Sequence, residues 1–234
     1  MERKFERVPI MIVTAAGAAV VCLLRHIQLL TQLDATGRIM AGAGKGPLTW
    51  ICLILILASA GYAFLLEPKQ TLEGRSTPAM IVTLAAAFFT ALGLITAWKV
   101  SPLLALGSVL TAACMVILAL QRRQGTLPSA VWFMIPALVD ALELIVRFRD
   151  WSRDPLLLDY CFDLFAAIFV MCATFHLGGF SLGRGHRRRC VFYCMGGVIF
   201  SAAAMAGGSV LEVMPMLGSV LWLMGNLWLL LSEE

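Results

Sequence analysis

The chain alternates between long apolar runs and short polar breaks. The runs cover about residues 8–30, 47–66, 78–98, 102–120, 128–148, 156–180, 190–206 and 213–231. Each is close to the roughly 20 apolar residues that a helix needs to cross a bilayer. None alternates polar and apolar positions with a period of two, as the strands of a membrane barrel would. In lipid every backbone N–H and C=O needs a partner, and a helix supplies them within one segment. The pattern predicts an all-α integral membrane protein, a polytopic bundle of about eight transmembrane helices forming a single domain over residues 1–234. Lys99 and Pro102 divide what would otherwise be one apolar run from Pro78 to Leu120, too long for a single span.

The polar breaks carry a charge bias that supports this count. With the N-terminus in the cytoplasm, the inner regions hold Arg3, Lys4, Arg7, Lys69, Arg75, Arg122, Arg123, Arg184, Arg187, Arg188 and Arg189. The outer regions hold Arg38, Lys45, Lys99, Arg147, Arg149 and Arg153, and Arg25 falls inside the first run. Basic residues concentrate on the cytoplasmic side of membrane proteins, so both termini are expected inside. The plasma membrane is the expected location. The apolar run after Arg7 is long for a signal core and precedes no small-residue cleavage site, so it reads as a retained first helix.

Composition removes the soluble alternative. The 234 residues are 60% hydrophobic and 14% charged, against roughly half and a quarter in an ordinary soluble domain. The net charge of +4 would raise nucleic acid in a soluble protein. Here the basic residues sit between apolar runs, so no nucleic acid is expected and anionic lipid is the natural counterpart. Arg184, Arg187, Arg188 and Arg189 form a basic cluster that reads as a topology anchor, compatible with lipid headgroups. Trp98, Trp151, Trp222 and Trp228 fall near predicted span ends and read as interfacial anchors. The seven cysteines lie in or beside apolar runs without a CxxC, and read as small buried hydrophobes. Alanine- and glycine-rich stretches such as Ala15–Ala19 and Ala202–Gly208 are the kind that let membrane helices approach closely, and helix faces are available for protein partners.

One constellation interrupts the apolar pattern. Asp140, Glu143 and Arg147 are spaced i, i+3, i+7 in the fifth run, which places them on one helix face. Asp159 and Asp163 are spaced i, i+4 in the sixth. Counted from the expected outer ends of the runs, Asp140 and Asp163 lie roughly 10 Å inside, at about 1.5 Å per residue. A short connection makes the two helices antiparallel neighbours, so the acids are expected to face each other, with Arg25 within reach of the same layer. An ionised side chain at the bilayer centre costs about 2.5–3.5 kcal/mol on insertion scales, and such groups face a bundle interior or a watery cavity. Asp140, Glu143, Asp159, Asp163, Arg25 and Arg147 are therefore the candidate site, an outward-facing carboxylate cluster for a small cation, a proton or an amine. The structural alternative is a fixed network in which Arg25 and Arg147 neutralise the acids.

Other motifs carry no chemistry. Gly179-Phe180-Ser181-Leu182-Gly183 matches GxSxG, but a nucleophile elbow needs a strand before the serine, and here an apolar helix precedes it. A glycine turn closing that helix explains the pattern better. His26, His176 and His186 are too scattered to indicate a metal site. No catalytic residue, metal or cofactor is expected. A small transporter or solute-binding membrane protein fits the acid cluster. The alternatives are a membrane-embedded enzyme acting on a lipid or lipid-linked substrate, with the same acids as acid and base, and a structural or sensory subunit without chemistry.

Overall fold

The computed structural model describes residues 7–32, 46–68, 76–126, 128–151 and 160–231. Among them are nine helices and no strand: α1 (Arg7–Thr31), α2 (Pro47–Leu65), α3 (Thr77–Leu92), α4 (Leu94–Val100), α5 (Pro102–Gln124), α6 (Val131–Trp151), α7 (Cys161–Ser181), α8 (Arg187–Met205) and α9 (Val210–Leu231). Six helical runs are long and apolar enough to cross a membrane: Val8–Thr31, Pro47–Leu65, Thr77–Val100, Pro102–Gln124, Cys161–Ser181 and Val210–Leu231. The third of these joins α3 and α4 through Gly93. α6 and α8, 21 and 19 residues long, stand outside this set because of their charges. The outer surface is apolar, with side chains such as Ile12, Trp50, Phe64 and Leu106 more than half exposed, as contact with lipid requires.

Local chemistry sets the ends of the helices. Pro47, Pro78 and Pro102 stand in the first turns of α2, α3 and α5, where no intrahelical N–H bond is lost. Ser76 and Ser101 cap α3 and α5 with their side-chain oxygens. α7 closes in a double-bonded turn: Arg184 N donates to Gly179 O at 3.0 Å, Gly183 N donates to Phe180 O at 3.2 Å, and Gly183 has φ +66°. Only glycine holds that left-handed backbone without strain, which accounts for the GxSxG pattern as a helix terminator.

Helices α3, α5, α6, α7, α8 and α9 pack in that order as a closed ring, α9 returning to α3, while α1 and α2 lie outside against α8. Small residues bring the backbones together. A Cβ at Gly218 of α9 would stand 2.7 Å from Thr90 Oγ1 and 2.9 Å from Thr90 N of α3. A Cβ at Gly197 of α8 would run into Leu223 of α9. α8 is buried along most of its length, from Cys190 to Ala204.

The arginines at the start of α8 tie one end of the bundle. Arg187 is buried, and its Nε donates to Leu230 O at the end of α9 at 2.7 Å. Arg188 Nε donates to Leu66 O at the end of α2 at 2.7 Å, and its guanidinium lies 5.2 Å from the Phe64 ring. A cation on the unpaired carbonyls of a helix C-terminus satisfies both the hydrogen bond and the helix dipole. Arg184 and Arg189 are exposed. Trp222 departs from the interfacial role expected of it. It is 1% exposed in the core, and its Nε1 donates to Thr174 Oγ1 at 3.1 Å.

Candidate functional site

At the opposite end of the bundle from the α8 arginines, the ring surrounds a partly open cavity of about 120 Å³. Asp140, Glu143 and Arg147 reach it from α6, Asp163 from α7 and Glu212 from α9, with Thr96 of α4, Ser201 of α8 and Ser219 of α9 completing the polar wall. α6 shows how the sequence makes such a helix. Leu138, Leu142, Ile145 and Phe148 are exposed on its outer face, while Asp140, Glu143 and Arg147 occupy the inner one. The amphipathic pattern is inverted, with the apolar stripe outward and the charges inward.

Each acid is held differently. Glu143 pairs with Arg147 one turn on, Oε1 to Nη2 at 2.6 Å. Glu212 Oε2 accepts from both the backbone N and the hydroxyl of Ser209 at 2.8 Å, a capping arrangement that fixes it at the start of α9. Asp163 lies in the first turn of α7, where its own backbone N–H approaches the carboxylate and the helix dipole favours a negative charge. Arg147 and Arg25 both act electrostatically on Asp163. Asp140 has no ion pair or hydrogen bond among the described residues.

The placement sharpens several expectations. Asp140 is nearer mid-helix than its predicted depth, because α6 starts at Val131 and continues to Trp151. Asp163 is shallower within its helix, because α7 starts at Cys161. The two still line one cavity, since the described ends of α6 and α7 are offset from the predicted ones. Arg25 lines neither this cavity nor the chamber below it. Its guanidinium donates to Gln28 Oε1 at 2.8 Å and lies 4.9 Å from the Phe162 ring. Asp159 lies outside the described residues. Glu212, just before the expected eighth run at 213–231, is part of α9, which starts at Val210. Glu212 is a site residue that the sequence reading passed over, although Ser209-Val210-Leu211-Glu212 carries the S-x-x-E spacing of a capping box.

Below Asp140 a second chamber of about 70 Å³ continues inward, sharing Asp140, Glu143, Val170, Pro215 and Ser219 with the first. Its floor is Trp222. Beyond that ring sits Arg122 of α5, 5% exposed, with Nη1 on Thr83 Oγ1, Nη2 on Asn226 Oδ1 and its guanidinium 5.4 Å from the Trp222 ring. No carboxylate pairs with it among the described residues. Acids thus occupy one side of Trp222 and an arginine held only by neutral groups occupies the other.

No family model, curated protein or solved structure matches the chain.

Proposed function

We propose that this chain is a multi-pass transporter or solute-binding protein of the plasma membrane that takes a small cation, proton or amine in the carboxylate cavity. One observation carries the reading: four carboxylates from three helices converge on a cavity that holds a single guanidinium. A fixed neutralising network would match acids to bases and leave no space between them. Here Asp140 lacks any protein partner among the described residues, and the surplus of carboxyl groups over bases favours a mobile positive partner, a proton included. Ser201, 1% exposed, lines the same space with its hydroxyl unpartnered among the described residues, which supplies a further ligand atom.

In this reading α6 and α8 also span, giving eight spans and cytoplasmic termini. The inverted amphipathic face of α6 and the burial of α8 among four neighbours support it. The cavity then opens away from the cytoplasm, and Arg184 and Arg189 are free to meet lipid headgroups while Arg187 and Arg188 brace helix ends.

A ligand that binds only the folded state stabilises it by about 2.7 kcal/mol at a hundred times its dissociation constant. Purified protein titrated with sodium, methylammonium and protons is expected to gain thermal stability with at least one of them. Asp140→Asn and Asp163→Asn are expected to abolish the gain. An identical response in wild type and both variants would remove the proposal.

A further inference from the structure

We infer that the cation is an organic ammonium ion, with its charged head among Asp140, Glu143 and Asp163 and a compact apolar body in the chamber above Trp222. The inference rests on the cation reading of the same cavity and adds the class of ligand. A proton needs no chamber. A metal ion needs several oxygens converging at about 2.0–2.6 Å, and among the described residues no three His, Cys, Asp or Glu side chains converge closely enough to hold one. The inner chamber's apolar walls are Met115, Pro136, Val139, Val170, Pro215 and the ring of Trp222, and five hydroxyl side chains stand between them.

Four of the five hydroxyls in that wall are already engaged, Thr90 donating to Met115 Sδ at 3.8 Å. Ser108 donates to Leu104 O at 3.1 Å, Ser219 donates to Pro215 O at 3.2 Å, and Thr174 accepts from Trp222 Nε1. Serine and threonine in helices ordinarily bond back to a carbonyl of the preceding turn in this way. Thr111 does not. It is 5% exposed, faces the chamber and has no hydrogen-bond partner among the described residues. With the other hydroxyls engaged, the chamber offers one vacant hydroxyl beside its apolar walls, which suits an apolar body carrying at most one polar group. Asp140 lines both spaces, so a single molecule can bridge them, ammonium outward and body inward.

Size limits the body. Drug-sized ligands occupy pockets of roughly 300–1,000 Å³, well above these two. An apolar cavity of about 150 Å³ accepts benzene; the inner chamber of about 70 Å³ is roughly half that, so a ring would reach from it past Asp140 into the outer space of about 120 Å³, where the ammonium sits. Benzylamine is therefore the probe, with methylammonium as the head without the body and benzyl alcohol as the body without the charge.

Equilibrium binding of labelled benzylamine to the purified full chain tests the inference. Benzylamine is expected to bind at least ten-fold more tightly than methylammonium, and benzyl alcohol is expected not to compete. Asp140→Asn is expected to abolish binding of both amines. Thr111→Leu, which fills the chamber, is expected to weaken benzylamine at least ten-fold more than methylammonium, and Thr111→Val, which keeps the volume, is expected to weaken it less. If methylammonium or sodium binds in an Asp140-dependent way and benzylamine has no advantage, the organic body is wrong and the cation reading stands. If no cation binds in an Asp140-dependent way, the cation reading itself fails.

Discussion

Arg122 and Asn226 lend themselves to a double-mutant cycle whose sign follows from their burial. Arg122→Met removes the guanidinium together with its charge. It leaves Asn226 Oδ1, in a residue with no exposed surface, without its donor, and an unsatisfied buried acceptor costs about 1–3 kcal/mol. Loss of the contact with the Trp222 ring adds about 0.5–2 kcal/mol. Against both runs the release of a buried ion's desolvation, several kcal/mol per ion. These terms nearly cancel, so Arg122→Met is expected to change stability by less than about 2 kcal/mol. Asn226→Leu acts the other way. It keeps the charge buried and withdraws one of its two hydrogen-bond acceptors. A hydrogen bond to a charged group is worth about 1.5–3 kcal/mol, so the loss is expected at the top of that range. The pair Arg122→Met/Asn226→Leu should then be more stable than Asn226→Leu alone. Unfolding in an SDS titration, followed by circular dichroism, measures each corner of the cycle. Simple additivity, or an Asn226→Leu variant as stable as wild type, would refute the assignment of Arg122 as a buried charge held by neutral groups.

Other consequences follow from the packing and the topology. Gly218→Ala places a methyl group against the Thr90 backbone of α3, which cannot move aside as a side chain would. It is expected to cost about 1–3 kcal/mol by overpacking, read as a lower unfolding midpoint; an unchanged midpoint would contradict the close approach of α3 and α9. Reporter tags at the two termini are expected to be protected from, or accessible to, an external protease together in intact cells, and opposite behaviour would contradict an even number of spans.

The sequence foretold the apolar runs closely because period and length are local properties. Pro47, Pro78 and Pro102 mark the starts of α2, α3 and α5, and the Gly179–Gly183 pattern marks the end of α7. Asp140, Glu143, Arg147 and Asp163, which line one cavity, were legible as a cluster because charges are rare in apolar runs and their spacing fixes a face. What escaped was non-local. The cavity needs six helices to close a ring, and no spacing within one helix reveals that α9 brings Glu212 to α6. Arg25 illustrates the converse, since depth along α1 says nothing about the direction it faces, and it faces Phe162 and Gln28. Arg122 reads as a flanking topology charge because it lies beside Arg123 at the end of a run. Only the fold shows it buried on Asn226, a lone amide in an apolar helix that was the available clue. Trp222 was misplaced for the same reason, because proximity to a span end does not fix which face a residue occupies.

The most direct test of the central claim is transport itself. Wild-type protein reconstituted in liposomes with an inward-directed pH gradient or membrane potential is expected to accumulate labelled methylammonium or benzylamine above protein-free liposomes. Asp140→Asn and Asp163→Asn, matched for yield and unfolding midpoint, are expected to reduce that accumulation at least ten-fold. Equal accumulation by wild type and both variants, or none by wild type beyond the empty liposomes with either amine, would contradict a carboxylate cavity built to carry a cation.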